Sequence, residues 1–320
     1  MRGQTADKEW NGKEEEEEGE TAGEDEDLPS FPRPSPARSG NSPHHTSMGK
    51  GGPLHGLQNC RGENYLTSGA SAAVVDLLPP SAGGDLAAVC SWPDEMRFRY
   101  RWSSPLHYAN TPGVCDFDYS RDCHNAKGEQ DMCVVGAINN YTTQLMSYGD
   151  SSAYNLTESL MFLAHFVGDV HQPLHVGFAD DEGGNTIVVH WYRRKTNLHH
   201  VWDVSIIETA MKDFYDNDVD TMIEAIKMNI TSNDVRQWKT CREKSVTCAD
   251  KYASESTSLA CDYAYQDVEQ DSTLGDEYFF SRLPVVEQRL AQGGVRLAAI
   301  LNKLFSNSEE ESKSGSQFLI

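Results

Sequence analysis

The sequence predicts an all-α protein, one mainly helical domain that carries a small β-hairpin. Three observations carry this reading. Apolar residues recur at helical spacing in several segments, most clearly in "NLTESLMFLAHFVGDV". Neither a strand–helix–strand alternation nor an internal repeat is present. The stretch "DDEGGNTIVVHWYRRKTN" places turn glycines before β-branched and aromatic residues, which is the pattern of a hairpin.

Residues 1–55 are acidic and then rich in Pro, Ser and Gly, so they lack the material for a core and are expected to be disordered. Residues 56–306 are expected to form the folded domain and residues 307–320 a flexible tail. "YLTSGASAAVVDLLPP" reads as helix up to its prolines, and "DLAAVCSWPDEMRFRYRW" as a helix interrupted near Pro93. "DMCVVGAINNYTTQLMSY" is a third helix. In the fourth, Leu156, Leu160, Leu163 and Val167 form one apolar stripe, Met161, His165 and Asp169 form the adjacent one, and Asn155 with Glu158 forms a capping pair. After the hairpin, helical patterns resume in "SIIETAMKDFY", "VDTMIEAIKMNI" and "ESTSLACDYAYQ". A longer run, "PVVEQRLAQGGVRLAAILNKLF", closes the domain.

Composition bounds the function. A chain of 320 residues, 38% hydrophobic, can bury a sizeable core, and no apolar run approaches the ~18 residues of a membrane span. It reads as soluble. The net charge of −22 argues against a basic groove for duplex DNA, but bound divalent cations would reverse the local field in an active site. The eight cysteines lack Cys-x-x-Cys spacing and read as a disulfide framework. Sequons at Asn140, Asn155 and Asn229 agree with a secretory route, whereas the opening "MRGQTADKEWNGKEEEEEGE" has no apolar signal region.

The chemistry lies in three short stretches. In "FLAHFVGDVHQPLH", His165 and Asp169 are four apart and share a helix face, while Pro173 ends the helix and brings His175 in from a turn. "NLHHVWD" repeats the four-residue spacing with His199 and Asp203. "SWPDEMRFRYRWSSPLHY" adds Asp94 and His107, with Arg97 a helical turn past the aspartate. Singly, each has a bland explanation as a core histidine, a solvated carboxylate or a surface pair. Jointly, the seven His and Asp side chains offer a nitrogen and oxygen donor set that suits zinc.

The motifs "SWPDEMR", "SPLHY", "HFVGDVHQPLHVGF", "GGNTI", "NLHHVWD" and "TLGDEYFFSRLPVVEQRLAQGGVRLA" resemble those of the plant bifunctional nucleases, members of the zinc-dependent type I, S-one/P-one type, nuclease family. The resemblance runs from about Glu63 to Phe305. It implies a mainly helical, phospholipase C/nuclease-like fold around a three-zinc cleft. The implied activity cuts single-stranded DNA and RNA to 5'-phosphate products and removes the phosphate of 3'-nucleotides. Asp94, His107 and His165 would hold one zinc of a close pair, Asp169 would bridge to the second, and His175, His199 and Asp203 would hold a third. Asp94, Arg97 and Asp169 are the expected catalytic residues, with Arg97 facing charge on the phosphoryl oxygens. Base stacking would explain a preference for unpaired strands, with Phe98, Tyr100, Trp102, Tyr108 and Trp191 as candidates. Asn185 in the glycine-rich turn is a candidate substrate contact.

The chain departs from this pattern at its start. Family members begin with a Trp whose amine and carbonyl bind the second zinc of the pair, followed in the same segment by a His ligand. The corresponding stretch here, "GKGGPLHGLQNC", has Gly51 at the Trp position and Gly56 at the His position, with His55 adjacent. Two of the three zinc sites are therefore expected to be intact. The expected disulfides are Cys60–Cys90, Cys123–Cys133, Cys241–Cys248 and Cys115–Cys261; short loops favour the middle two, and connectivity does not follow from sequence. A secreted or vacuolar monomer, without a membrane partner, is implied. Two further readings stand beside the nuclease: a zinc-dependent phospholipase C-like phosphodiesterase, and a non-catalytic relative that keeps part of the zinc shell.

Overall fold

Helix α1 (Ser68–Leu77) begins where the Thr67 hydroxyl accepts the Ala70 amide proton, and it stops before the Pro79–Pro80 pair. The computed structural model describes residues 65–150, 153–241 and 245–306, all of which lie within one compact unit. Short helix α2 (Trp92–Met96) takes Pro93 into its first turn, where a missing amide costs no hydrogen bond. The proline therefore starts this helix instead of interrupting it, and a 3₁₀ segment covers Arg101–His107. After α3 (Tyr119–Asp122), α4 (Val134–Leu145) packs along α5 (Leu156–Asp169). Tyr141 stacks on Phe162, with ring centroids 4.9 Å apart.

Asn155 caps α5 by accepting the Glu158 amide, but Glu158 does not reach back; its carboxylate receives the Tyr100 hydroxyl at 3.3 Å. Every residue of α5 from Ser159 to Asp169 is buried. Apart from the half-buried Leu156, both expected stripes are therefore interior, and the His165 and Asp169 face is turned toward other protein groups, not toward water.

The expected hairpin is present. Strand β1 (Val188–Trp191) pairs antiparallel with β2 (Arg194–Asn197), and β3 (Thr273–Leu274) joins β1 in parallel to give the order β2-β1-β3. Helix α6 (Leu198–His200) runs through a π-helical segment, Val201–Ser205, into α7 (Ile206–Phe214). Helix α8 (Val219–Asn229) follows, and α9 (Ser232–Lys239) opens on a capping box between Thr231 and Asp234 that sequence reading passed over. Helix α10 (Ala249–Leu259) ends in a second π segment, Ala260–Ala264.

The last helix, α11 (Asp276–Leu304), starts eight residues before Pro284, where the sequence placed its beginning. A proline in a helix interior forfeits one backbone hydrogen bond, but Tyr278, Phe279 and Leu283 on the first turns are buried and hold the extension in place. Two apolar clusters result. One gathers α1, α4, α5 and the C-terminal half of α11, and the other gathers β1, α6, α7, α8 and the N-terminal half of α11. The 3₁₀ turn Pro173–Val176 joins them, contributing Val176 to the first and Leu174 to the second.

Disulfides Cys115–Cys261, Cys123–Cys133 and Cys241–Cys248 match the expected pairing, and no cysteine among the described residues is free. Cys60, expected to pair with Cys90, lies outside the described residues. No described helix is long and apolar enough to cross a membrane.

A buried ion network ties α10 and α11 to the segment that follows α5. Glu255 accepts from Arg289 at 2.9 Å and from Arg296 at 2.5 and 2.8 Å, and both arginines are about 1% exposed. Arg289 also donates to the His171 carbonyl at 3.1 Å, and Arg296 to His171 Nε2 at 2.9 Å. Burial pushes the Glu255 carboxyl up, but the two guanidinium charges outweigh it and hold the group at about 2, below its usual 4.5. The stabilisation is thus present above the usual glutamate range and is lost as pH falls from about 4.5 toward about 2. Glu255→Gln is expected to cost ~3 kcal/mol at neutral pH, because it strands two buried cations. Denaturant unfolding of both proteins at pH 7 and pH 3 checks this: the gap between them should shrink at the lower pH.

Candidate metal centre

Two groups of side chains converge at the junction of the two clusters. In the first, Asp94 from α2, His107 from the end of its 3₁₀ segment and His165 from α5 each offer a ligand atom. In the second, His175 from the 3₁₀ turn, His199 from α6 and Asp203 from the π segment do the same. Within each group the ligand atoms lie within 4.8 Å of one another. The π segment matters for this geometry, since it widens the turn that carries His199 and Asp203.

Asp169 connects the two groups. Its Oδ2 lies 3.0 Å from His107 Nδ1 and 3.2 Å from His165 Nε2, while Oδ1 lies 3.5 Å from His175 Nδ1. The carboxylate is 4% exposed and faces both sets of rings. Asp94 Oδ1 stands 3.6 Å from both His107 Nδ1 and His165 Nε2. On the other side, Asp203 lies 3.3 Å from His175 Nε2 and 3.2 Å from His199 Nε2.

Ring orientation is set from outside the cluster. His165 Nδ1 donates to the Cys90 carbonyl at 2.8 Å, His175 Nδ1 to the His107 carbonyl at 2.9 Å, and His199 Nδ1 to the Gly183 carbonyl at 2.7 Å. Each bond keeps a proton on Nδ1, so Nε2 is the nitrogen that faces the centre and is free to ligate once deprotonated. His165 Nε2 then sits 3.0 Å from His107 Nδ1, two ring nitrogens with room for one proton between them. Asp94 Oδ2 and His107 Nε2 are buried without a hydrogen-bond partner. Converging lone pairs, paired carboxylates and orphaned polar atoms fit a divalent cation, and the nitrogen and oxygen donor set fits zinc.

The electrostatics agree. Burial works against charge on His165, but the carboxylates of Asp169 and Asp94 outweigh it and raise the ring to about 9; His175 is raised to about 9 by Asp169 and Asp203 against the same penalty. His107 moves the other way, because burial dominates its neighbouring carboxylates. Asp169 and Asp203 are held far below the usual aspartate range by the facing rings, despite their burial. The cluster demands positive charge near its carboxylates.

Residues 62–306 match the S1/P1 nuclease family. The chain is 57% identical over 262 residues to endonuclease 4 of Arabidopsis thaliana, covering 79% of this chain and 88% of that one. It is 56% identical over 250 residues to endonuclease 2 of the same plant, covering 76% and 86%, and 31% identical over 257 residues to nuclease P1 of Penicillium citrinum, covering 76% and 93%. The chain belongs to the S1/P1 nuclease family. It is a hydrolase of the endonuclease type, and its substrates are nucleic acids. S1/P1 nucleases are zinc enzymes, and both His/Asp groups could hold the metal. The three disulfides suit an oxidising, secretory compartment.

The seven His and Asp residues singled out by sequence are all brought together at this junction. Arg97 caps α2, with its guanidinium 3.4 Å from Asp94 Oδ1 and its side chain 47% exposed, so it reaches both the first group and solvent. Asn185 is exposed and donates to the Glu182 carbonyl at 2.8 Å. Positions 51–56, where the family's initial Trp and His would fall, are outside the described residues. His171, the remaining histidine of "FLAHFVGDVHQPLH", points away: its Nδ1 donates to the Val167 carbonyl and its Nε2 receives Arg296.

Sequence reading missed two supporting groups. Gln172 donates to Asp203 Oδ1 at 2.7 Å and turns its own oxygen to the Leu174 amide, so it fixes both the turn and a ligand. Its place directly before the Pro-Leu-His turn was the available signal. The second is Gly183, whose carbonyl orients His199. With φ at +63°, it comes so close to Leu174 that a Cβ would stand 2.4 Å from the Leu174 carbonyl oxygen. Gly183→Ala is expected to turn His199 out of line and weaken zinc binding by ~10-fold or more, the usual loss when an orienting partner is disturbed. Chelator competition against the parent protein measures this, and equal zinc affinity would show that the turn does not position the ligand.

Proposed function

We propose that this S1/P1 nuclease is a zinc-dependent endonuclease that hydrolyses single-stranded DNA and RNA to 5'-phosphate products and removes the phosphate of 3'-nucleotides. The observation that carries the reading is the pair of His/Asp groups joined through the one buried carboxylate of Asp169. Zinc held there supplies Lewis acidity at the phosphoryl group and an acidified water for in-line displacement.

The chain's own residues supply the rest. Asp94, His107 and His165 form one ligand set, His175, His199 and Asp203 another, and Asp169 faces both. The backbone carbonyls of Cys90, His107 and Gly183 hold three imidazoles with Nε2 inward, so little reorganisation is required when a cation or substrate arrives. Arg97, anchored on Asp94 yet open to solvent, presents its planar fork to phosphoryl oxygens. Asn185, exposed in the turn that follows Gly183, is our candidate for a substrate contact.

The burial of the Asp169 carboxylate between the two groups favours unpaired strands, which turn a single phosphate inward more readily than a duplex does. Sequons Asn140 and Asn155 present exposed side chains and Asn229 a half-buried one, in keeping with a glycosylated, secreted or vacuolar monomer. Asn155 can carry a glycan on its amide nitrogen while its oxygen continues to cap α5.

Asp169→Asn is expected to lower bound zinc and to reduce turnover of single-stranded DNA by ~100-fold or more. Metal analysis and a cleavage assay, run beside phosphatidylcholine as substrate, test the whole reading. Hydrolysis of the lipid with no cleavage of the strand would point to a phospholipase C-like enzyme, and zinc binding without turnover of either to a non-catalytic relative. Because Gly51 and Gly56 stand where the family has ligands to the second zinc of the close pair, the chain as written is expected to hold two zinc ions. Three per molecule would mean that His55 or another group completes the set.

A further inference from the structure

Between Met96 and Ser103 the chain runs "RFRYRW", three arginines alternating with three aromatic rings. The rings have separate structural fates. Tyr100 is half-buried, with its hydroxyl on Glu158, and Trp102 stacks on it at 5.7 Å while leaning on Phe162 at 5.8 Å. These two brace the segment against α5. Phe98 is 90% exposed and makes no ring contact with any described aromatic residue. Trp191, another stacking candidate, is only 8% exposed and donates to the Thr209 hydroxyl, so it is unavailable to a base.

Leaving a phenyl ring in water forgoes ~2 kcal/mol that burial would return. A lone exposed ring is ordinary on a protein surface, but Phe98 has particular neighbours. With Asp94, Arg97, Arg101 and Ser104 it lines a cleft of about 540 Å³, within the size range of small-ligand sites. Asp94 belongs to the first candidate metal-ligating group, so the cleft adjoins that group through its carboxylate. Arg99 and Arg101 are exposed and form no ion pair among the described residues, in a chain whose net charge is −22. An unpaired cation beside an unpacked ring, next to a phosphodiester site, is complementary to one further nucleotide of a single strand: a phosphate for the guanidinium and a π face for the ring.

We propose that Phe98 and Arg101 form a nucleotide subsite flanking the scissile phosphate, in which Phe98 stacks an unpaired base and Arg101 holds that nucleotide's phosphate. The subsite rests on the nuclease reading and extends it. Arg97 handles the reacting phosphate, and the next phosphate along the strand falls to Arg101, four residues on. Bases in a duplex are already stacked and cannot use Phe98, so the subsite adds affinity for unpaired strands without reading sequence.

Two measurements test this on the zinc-loaded protein. The first compares kcat/KM on hexathymidylate with that on the thymidine dinucleotide. The ratio should be well above one in the parent and should fall at least ~5-fold in Phe98→Ala and Arg101→Ala, through KM, with Phe98→Trp restoring it. The second follows fluorescence anisotropy of a labelled phosphorothioate hexathymidylate against salt. Phe98→Ala should bind ~10-fold more weakly at every salt concentration, whereas Arg101→Ala should reduce the salt slope by ~1. Unchanged ratios and unchanged affinity in both variants would overturn the subsite while leaving nuclease activity intact. Loss of bound zinc in either variant would overturn it as well, by showing that the residues act on the metal cluster. A parent protein that neither binds nor cuts the oligonucleotide would remove the nuclease reading and the subsite with it.

Discussion

The Asp169 carboxylate sets the terms for the rest of the molecule. It is buried at the junction of two apolar clusters, with one oxygen toward His107 and His165 and the other toward His175. An uncompensated carboxylate there would cost several kcal/mol, so the fold must bring positive charge to it, as protons on imidazoles or as cations. The facing rings of His165 and His175 are both raised to about 9, which is how the protein meets that demand with its own groups. Divalent cations meet it with more charge and release those protons, so metal binding and the protonation of this cluster are one equilibrium.

Holding seven ionisable groups at such a junction requires rigidity behind them. His171, two residues past Asp169, is locked through Arg289 and Arg296 to Glu255 on α10, so the chain leaving α5 cannot drift. Gln172 then orients Asp203, and the Pro173–Val176 turn delivers His175. On the opposite side, the glycine-rich turn and the π segment set His199 against the same Asp203. These supports come from parts of the chain far apart in sequence, and they reach the site from both apolar clusters. That shared support is the reason a single residue can face both ligand groups.

Much of this was legible beforehand. The four-residue spacing of His165 with Asp169 and of His199 with Asp203 reports a shared helical face directly, and the hairpin followed from turn glycines beside β-branched residues. The start of α11 was misplaced, because a proline reads as a boundary in sequence, while the buried Tyr278 and Phe279 that carry the helix past it are a tertiary effect. Strand β3 was hidden for a related reason: two residues show no periodicity, and only the neighbouring β1 makes Thr273 and Leu274 a strand. Capping by Asn155 was read correctly from its side, but Glu158 found a better donor in Tyr100, fifty-eight residues away. Gln172 and Gly183 escaped notice because what they do for the ligands passes through an amide and a carbonyl that carry no chemical signature in sequence.

The charge of the chain also reads differently once its distribution is known. A net charge of −22 repels a polyanion at long range, but salt at physiological strength screens that field beyond ~8 Å. Within that distance a polyanion would meet Arg97 on the edge of the first ligand group and the guanidiniums that follow it, which form no ion pair among the described residues, and then a carboxylate cluster whose own field draws in cations. Acidic residues at the centre are therefore the means by which this protein becomes locally positive. The overall sign of the chain disfavours loose, sequence-independent adhesion to duplex, and it leaves binding to the few short-range contacts available at the cleft.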